Sequence, residues 1–297
     1  NVMTEEVRDS FPQKYLESIC EENGHIYSVP FQMDIMMFWV NQELLKQAGL
    51  DEIKNTGDFD ILQKSLKNPD QYAYGDAWEN THVYNSLSQF VNFWGGDYFD
   101  WTDPKTKDAA RYMKSMLDEK NTSPAQFVDQ YEQMEEKFIR GKYGCVFMYT
   151  SALGTFLDAD VYGKNKIHMA PLPVLHKKKA TNIATWQYVL NNASENKDAA
   201  VRFLQYAAGY EGSTEYAKIM KSYPARVDVI ENEDIDLEGI DMIRKYLREY
   251  TLNARPLCEN SMGAVSDMGK LFQGYVLGQC EEDSFFEQAQ NCINTYY

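Results

Sequence analysis

The stretch MDIMMFWVN, from Met33 to Asn41, places one carboxylate in front of six unbroken apolar residues and ends on an amide. The run is too short for a helix that crosses a bilayer, which needs about 20 apolar residues. Its length and composition are typical of a strand buried on both faces of a parallel sheet. A carboxylate beside such a strand either caps a local turn or binds something, so Asp34 is the first candidate functional residue.

Composition limits the classes of function. The 297 residues are 44% hydrophobic and 25% charged, and this length predicts two globular domains at about 150 residues per domain. The 45 acidic and 29 basic side chains leave a net charge of −16, which would repel a phosphate backbone, so we expect no nucleic-acid partner. Aromatic residues make up 14%, which is typical of surfaces that stack on amphipathic ligands, although large cores with a tyrosine-rich surface would give the same content.

The cysteines and histidines indicate neither a metal nor a cofactor. The five cysteines contain no C-x-x-C pair, and none of the four histidines has metal-binding spacing. An odd number of cysteines leaves at least one thiol free, and a disulfide between Cys280 and Cys292 is open but unsupported by any other feature. No signal peptide or membrane-spanning segment is visible, and the first residue is Asn1, which is compatible with a processed precursor and equally with a sequence from which an upstream part was left out.

Strand-like and helix-like segments alternate along the chain, which predicts an α/β fold. Asn41 is suited to cap a helix that Gly49 ends, and Asp103-Pro104 has the pattern of a helix start. Further strands are predicted at GCVFMY, KIHMAPLP and IATWQYVL, and further helices at residues 131–139, 196–209, 268–277 and 285–293.

The order of these segments resembles a known family. GHIYSVP at 24–30, then the buried strand, then LLKQAGLD at 44–51 is similar to the "GKIYGVP…YNKDLFKKAGLD" pattern of the extracellular solute-binding proteins of ABC sugar importers. Segments similar to that family continue in the same order over nearly the whole chain, at residues 93–119, 135–156, 184–218 and 222–229. Each motif alone is weak, and their order carries the resemblance.

The resemblance implies a two-lobed periplasmic-binding-protein-like α/β fold with hinge crossovers near Met33-Asp34, Ala184–Gln187 and Tyr223–Asp228. The implied division places 1–33 and 188–225 in lobe one, and 34–187 and 226–297 in lobe two. Family members begin with a strand and a helix well before the GHIYSVP-like segment. Lobe one is therefore expected to be incomplete in this chain, either because the chain is a fragment or because something else supplies the missing part.

The resemblance also implies a function. Such a protein captures a sugar or oligosaccharide between its lobes, without catalysis, and delivers it to the membrane permease of an ABC importer. It works as a monomer in the periplasm or outside the cell, and its full-length precursor is expected to be anchored as a lipoprotein.

A sugar site combines carboxylates and amides, which hydrogen-bond hydroxyls, with aromatic rings that cover the apolar face of the sugar. In maltodextrin-binding members of the family an acidic residue stands at the same distance after the proline as Asp34 does here. The predicted ligand-binding residues are Asp34, Trp78, Asn80, His82, Tyr84, Asn85, Tyr149, Trp186, Tyr188, Arg226, Glu259 and Asn260.

Several of these residues have a competing structural interpretation. Asp34 is also suited to a turn cap, and Trp78 to a core position. Arg226 would fork equally well onto sugar hydroxyls or onto a carboxylate, and Glu259-Asn260 precedes a helix that it would cap. Many family members have a tryptophan after the GCVFM-like strand, where this chain reads Tyr149-Thr150-Ser151-Ala152. Either a stacking ring is missing there or Tyr149 replaces it, so the ligand is expected to be smaller or differently posed.

The other tryptophans of the predicted lobes differ in their surroundings. Trp39 and Trp94 are interpreted as core residues, because each lies in an apolar run. Trp186 lies between Thr185 and Gln187 at a predicted crossover, which favours ligand binding.

Two functions of other classes stay open from sequence. A glycoside hydrolase needs only a carboxylate pair, and a sequence with 45 acidic residues is compatible with such a pair. The chain has no G-x-S-x-G motif, no Cys-His signature and no phosphate loop. A pure interaction module is the third alternative. Substrate turnover would identify the hydrolase, and a complete lack of small-molecule stabilisation would favour the interaction module.

Overall fold

The computed structural model describes residues 2–22 and 24–297 of the chain. The chain divides into two units, each made of two stretches. Unit 1 consists of Asn1–Ile35 and Asn182–Leu257, and unit 2 consists of Met36–Thr181 and Cys258–Tyr297. Residues 226–257 thus pack within unit 1, whereas the predicted division placed them in lobe two. Which stretches of the chain form lobe one and which form lobe two stays a prediction.

Unit 1 contains short N-terminal elements, two long strands that it shares with unit 2, and a run of helices. Its elements are α1 (Glu5–Asp9), α2 (Gln13–Tyr15), a π-helix (Leu16–Cys20), β1 (Glu21–Glu22), β2 (His25–Ile26), the first part of β3 (Val29–Asn41), the last part of β7 (Ala180–Tyr188), α9 (Lys197–Ala208), α10 (Tyr210–Met220), α11 (Val227–Ile230), α12 (Ile240–Glu249) and β8 (Thr251–Asn253).

Unit 2 contains the remaining parts of β3 and β7 and the other elements of the chain. These are α3 (Gln42–Gln47), α4 (Thr56–Ser65), β4 (Tyr72–Gly75), α5 (Val83–Trp94), α6 (Pro104–Asp118), a 3-10 helix (Pro124–Val128), α7 (Tyr131–Ile139), β5 (Tyr143–Tyr149), α8 (Ala152–Asp158), β6 (Ile167–Ala170), α13 (Ser261–Val276) and α14 (Glu282–Tyr296). No helix in the described part of the chain is both long and apolar enough to span a bilayer.

Local chemistry explains where several elements begin and end. The Asn41 side chain accepts hydrogen bonds from the amides of Glu43 and Leu44, which confirms it as the cap of α3. Asp103 caps α6 by accepting from the Lys105 amide, and Pro104 lies in the first turn, as predicted. The predicted strands and helices from residue 131 to the C-terminus are also present, within one to three residues of their expected bounds for most of them.

Strand β3 is buried on both faces, as its apolar run predicts, but its neighbours are not parallel. In unit 2 it pairs antiparallel with β5 and with β6, and in unit 1 antiparallel with β7. The prediction of a parallel sheet around β3 was therefore wrong. The physical reason is that an apolar run indicates that both faces of a strand are covered by other residues. It carries no information on the direction of the neighbouring strands. Phe38 packs on Phe147, and Trp39, its neighbour in sequence, packs on Phe156 of α8.

The core of unit 2 is built from aromatic side chains on the sheet and on α5. The Phe147 ring lies 5.8 Å from Phe90 and 5.6 Å from Phe93, both on α5. Trp39 and Trp94 are 0% and 8% exposed, which confirms both as core residues. Trp39 also donates its indole N–H to the Met148 carbonyl at 3.0 Å.

The disulfide left open between Cys280 and Cys292 does not fit this fold. Both thiols are free. Cys280 precedes α14 and Cys292 lies near its far end, so the helix separates them by roughly 15 Å at its usual rise per residue. A disulfide needs Cα atoms within about 7 Å of each other.

Candidate functional site

In unit 1, two adjacent strands bring a carboxylate and an indole together. Asp34 on β3 lies opposite Ala184 on β7, and Trp186 lies two residues further along β7, on the same face as Ala184. The Trp186 Nε1–H donates to Asp34 Oδ2 at 3.2 Å. Asp34 is only 5% exposed, whereas Trp186 is 60% exposed. The pair therefore combines a shielded carboxylate with an open aromatic face.

Two further side chains lie beside this pair. Gln32 is the strand partner of Trp186, and its Oε1 accepts a hydrogen bond from the Tyr216 hydroxyl of α10 at 2.5 Å. Burial raises the pKa of Tyr216, and the nearby charge of Asp34 adds to the effect, so the phenol remains a donor. Gln32, Asp34, Trp186 and Tyr216 are called the unit 1 cluster below.

Sequence reasoning found half of the unit 1 cluster. Asp34 and Trp186 were predicted, but Gln32 and Tyr216 were not. The signal for Gln32 was its position two residues before Asp34, on the same face of a strand. Tyr216 lies on a helix distant in sequence, and no local pattern marks it. The predicted residue Tyr188 lies next to the cluster, where its ring stacks on Phe31 at 4.1 Å.

Arg226 has a structural partner in this fold. Its guanidinium is 2% exposed and forks onto Asp228, with Nε–Oδ1 at 3.0 Å and Nη2–Oδ2 at 2.7 Å. Its Nη1 donates to the Ala208 carbonyl at the end of α9, at 2.9 Å. Of the two roles left open, the carboxylate fork is the one present. This arrangement argues against a direct role of Arg226 in ligand binding.

In unit 2, three predicted residues meet where β5 ends and α5 begins. The Tyr149 hydroxyl donates to Asn85 Oδ1 at 3.4 Å, and His82 immediately precedes α5. Because β4 and β5 are parallel, their carboxyl ends lie at one edge of the sheet, which is the usual ligand edge of an α/β layer. The Tyr131 ring contacts both His82 and Tyr149 edge-on, with centroids at 5.4 and 6.4 Å.

Glu79 orients His82 at this edge. Its Oε2 lies 3.1 Å from His82 Nδ1 and accepts from the Thr81 amide at 3.0 Å. Burial acts to raise the pKa of Glu79, but the hydrogen bonds from Thr81 and His82 outweigh it and hold the pKa below the ordinary value. Glu79, His82, Asn85, Tyr131 and Tyr149 are called the unit 2 cluster below. Sequence reasoning missed Glu79 and Tyr131, although Glu79 lies between two predicted residues.

Trp78 is placed differently from its prediction. It is 0% exposed, and its ring packs edge-on against Phe127 and Phe272, each at 5.5 Å. Its Nε1–H donates to Asp76 Oδ2 at 2.7 Å. The ring has no open face, which argues against stacking on a ligand.

Asp76 is the buried centre of that arrangement. It is 1% exposed, and it also accepts from the Tyr74 hydroxyl at 2.7 Å and from the Ala77 amide at 2.8 Å. Burial raises the pKa of Asp76 to about 6, although the hydrogen bonds from Tyr74, Trp78 and Ala77 favour the charged form. Asp76 thus ties the end of β4 to the loop that leads to the unit 2 cluster.

The remaining predicted residues make structural contacts. Tyr84 is 9% exposed and packs edge-on against Tyr98 at 4.7 Å. The Asn80 side chain donates to the Ser266 hydroxyl of α13 at 2.7 Å. Asn260 caps α13 by accepting from the Gly263 amide at 3.0 Å, which is the capping role left open for it.

Asn80, Tyr84, Glu259 and Asn260 belong to neither cluster. Glu259 is exposed immediately before α13, and Asn80 is held by that helix.

Within residues 2–22 and 24–297, no group of three or more His, Cys, Asp or Glu side chains is placed to hold a metal ion.

Comparison with known proteins identifies a family. The family model described as bacterial extracellular solute-binding protein matches residues 3–214. A probable amino-acid ABC transporter periplasmic-binding protein of Sinorhizobium fredii is 24% identical over 239 residues, which is 76% of this chain and 54% of the relative. The arabinooligosaccharide-binding protein of Bacillus subtilis is 23% identical over 248 residues, which is 78% of this chain and 56% of the relative. The chain spans little more than half the length of these curated relatives.

Solved structures share the fold. Maltose-bound MalE3 of T. maritima aligns with a TM-score of 0.79 at 16% identity, covering 97% of this chain and 76% of that one. The GacH receptor of Streptomyces glaucescens, solved unliganded and with acarbose, aligns with a TM-score of 0.78 at 18% identity, covering 100% of this chain and 78% of that one. At this level of identity the likeness concerns the fold alone, which is that of two-lobed binding proteins.

Proposed function

Because the chain belongs to the family of bacterial extracellular solute-binding proteins, we propose that it binds a sugar or oligosaccharide outside the cytoplasm for an ABC importer. The observation that carries the proposal is the Asp34–Trp186 pair, a carboxylate that is 5% exposed and hydrogen-bonded to an indole that is 60% exposed. A sugar site needs both groups together, because the sugar hydroxyls donate hydrogen bonds to acceptors while the apolar C–H face of the sugar stacks on an aromatic ring.

The bonds of the unit 1 cluster are suited to exchange with sugar hydroxyls. In the structure, Trp186 donates to one oxygen of Asp34, and Tyr216 donates to the amide oxygen of Gln32. A sugar hydroxyl can donate to the Asp34 carboxylate or to the Gln32 amide oxygen in the same way. A hydrogen bond to a carboxylate is roughly twice as strong as a hydrogen bond between two neutral groups. Binding of this kind needs no nucleophile and no general acid.

The unit 2 cluster supports a second set of ligand contacts. His82, Asn85 and Tyr149 are half-buried, so they keep polar atoms near the surface while their orientation is held by Glu79 and Tyr131. We propose that these three residues offer sugar hydroxyls a second set of hydrogen-bond partners, within unit 2. Capture of the ligand between two lobes stays a prediction, as do the monomeric state, the lipoprotein anchor and docking on a permease.

A thermal-shift screen over mono- and oligosaccharides tests the proposal. A ligand at about 100 times its dissociation constant adds about 2.7 kcal/mol to the free energy of unfolding, which raises the melting temperature by several degrees. Amino acids belong in the same screen, because one relative is named for an amino-acid transporter. Stabilisation by amino acids and by no sugar would contradict the proposal.

Two further measurements follow for any sugar that stabilises the protein. Titration calorimetry gives its affinity, and incubation with chromogenic glycosides checks the hydrolase alternative, for which we expect no turnover. Tryptophan fluorescence reports on the proposed site itself, because Trp186 is exposed while Trp39, Trp78, Trp94 and Trp101 are at most 8% exposed.

A further inference from the structure

A cavity of about 280 Å³ opens in unit 1 beside the unit 1 cluster. Strands β3 and β7 and helices α9 and α10 surround it. The apolar and aromatic side chains that line it include Phe31, Tyr188, Phe203, Tyr216, Ile219 and Met220. The Phe31 ring stacks on Tyr188 at 4.1 Å, and Phe203 meets Tyr188 edge-on at 5.3 Å.

The chemistry of this lining suits an apolar ring better than a sugar ring. Aromatic and aliphatic side chains form most of its wall, and the Ser213 hydroxyl at its edge already donates to the Ala207 carbonyl at 3.2 Å. The other polar groups of the lining are the exposed Glu215 carboxylate and the hydroxyls of Tyr188, Tyr206 and Tyr216, and the Tyr216 hydroxyl already donates to Gln32. A cavity of about 150 Å³ is enough for benzene, so this one has room for a single substituted ring.

The cavity continues directly from the unit 1 cluster. Tyr216 belongs to both, because its hydroxyl donates to Gln32 while its ring lies edge-on to Phe31 at 5.6 Å. Tyr188 follows Trp186 by two residues on β7, so the two side chains share a face of the strand. One ligand with a polar part and an apolar part can therefore reach both places.

We propose that the ligand is a glycoside whose apolar aglycone, about one aromatic ring in size, occupies this cavity while its sugar binds the unit 1 cluster. This inference rests on the proposed function and narrows its ligand class. The aglycone would cover apolar surface that is now open, since Phe203 is 53% exposed and Ile219 is 72% exposed.

Matched pairs of glycosides test the inference by calorimetry and by tryptophan fluorescence. The probes are the methyl and phenyl β-D-glucopyranosides, the corresponding galactoside and arabinoside pairs, and cellobiose and maltose as disaccharides. We expect the phenyl member of the binding pair to be tighter than the methyl member by about tenfold or more, from the apolar area that it buries.

The outcomes separate the inference from the proposed function. Equal affinities of a phenyl and a methyl glycoside, or a disaccharide bound more tightly than the phenyl glycoside, would overturn the inference and leave carbohydrate binding in place. Failure of every glycoside and disaccharide to bind would overturn both.

Variants of the cavity wall make the test specific. Phe203→Ala and Ile219→Ala should remove the advantage of the phenyl glycoside and leave the methyl glycoside unchanged, because neither side chain belongs to the unit 1 cluster. Ile61→Ala is the matched control, since Ile61 is 48% exposed on α4 in unit 2. If Phe203→Ala weakens both glycosides equally, or Ile61→Ala removes the advantage as well, the cavity is not the aglycone site.

Discussion

This protein contains two aspartate–tryptophan pairs with the same type of hydrogen bond, from the indole N–H to a carboxylate oxygen. The two pairs differ in burial. In unit 2, the Trp78 indole donates to Asp76 Oδ2 at 2.7 Å, and in unit 1 the Trp186 indole donates to Asp34 Oδ2 at 3.2 Å. Trp78 is 0% exposed and is enclosed by Phe127 and Phe272, whereas Trp186 is 60% exposed.

The difference shows that the surroundings of such a pair decide its role. The buried pair keeps no ring surface for a ligand, and burial raises the pKa of its carboxyl to about 6. The open pair keeps an aromatic face beside a shielded acceptor, which is the combination that a sugar needs. We therefore expect the buried pair to control stability and the open pair to control affinity.

The largest expected effect is on the buried pair. Trp78→Ala should lower the free energy of unfolding by about 3–5 kcal/mol, because it empties a fully enclosed site and removes a donor from Asp76. Urea denaturation measures the change. Trp186→Ala is the control and should change stability by less than about 1 kcal/mol, since its ring is mostly exposed. Similar losses in both variants would refute the contrast between the pairs.

The pH dependence of stability should also come from the buried pair. Burial raises the pKa of Asp76 from its ordinary 3.8 to about 6, so the folded state holds this proton at a pH where the unfolded state has lost it. Its contribution is thus fully present below about pH 4 and is lost as the pH rises through about 6, by up to about 3 kcal/mol.

Denaturation of wild type and of Asp76→Asn between pH 3.5 and 7, about the range of that titration, isolates the effect. The free energy of unfolding of the wild type should fall relative to that of the variant as the pH rises. Parallel curves would show that Asp76 titrates alike in the folded and unfolded states.

The open pair should control affinity. Asp34→Ala removes a charged acceptor and should weaken binding of the proposed sugar by about 1.5–3 kcal/mol, or about 10- to 150-fold. The free energy of unfolding should change less than in Trp78→Ala, because the exposed Trp186 indole can donate to water instead. Calorimetric titration and thermal melting of the variant measure both. Unchanged affinity with lowered stability would make Asp34 a structural residue.

The smallest expected effect is that of the exposed ring. Trp186→Ala should weaken sugar binding by about 0.5–1.5 kcal/mol, or about 2- to 13-fold, through lost stacking. The variant should also lose the change in tryptophan fluorescence that the ligand causes, because the other four tryptophans are buried. A fluorescence change that persists in the variant would place the ligand elsewhere.

Short-range chemistry made much of the fold predictable. Asn41 and Asp103 accept backbone hydrogen bonds from residues two or three positions further along, so a local pattern is enough to mark them as caps. The burial of β3 likewise follows from its own apolar residues. The antiparallel partners of β3 did not follow, because strand direction depends on connections between distant segments.

The candidate site was predictable only in part, for the same reason. Asp34 and Trp186 were recognised by residue type, but their contact joins positions 152 residues apart. Tyr216 reaches Gln32 over 184 residues, and nothing local marks it. Trp78 has a polar sequence neighbourhood that is typical of a surface loop, yet Phe127 and Phe272 from other elements enclose it.

The sequence by itself determined the alternation of strands and helices, the caps at Asn41 and Asp103 and the family resemblance. These depend on residue type, spacing and order along the chain. Only the tertiary structure decided which carboxylates and rings meet, which tryptophan stays open and which arginine is already paired. Burial and hydrogen bonding are set by segments far apart in the sequence, so no local pattern contains them.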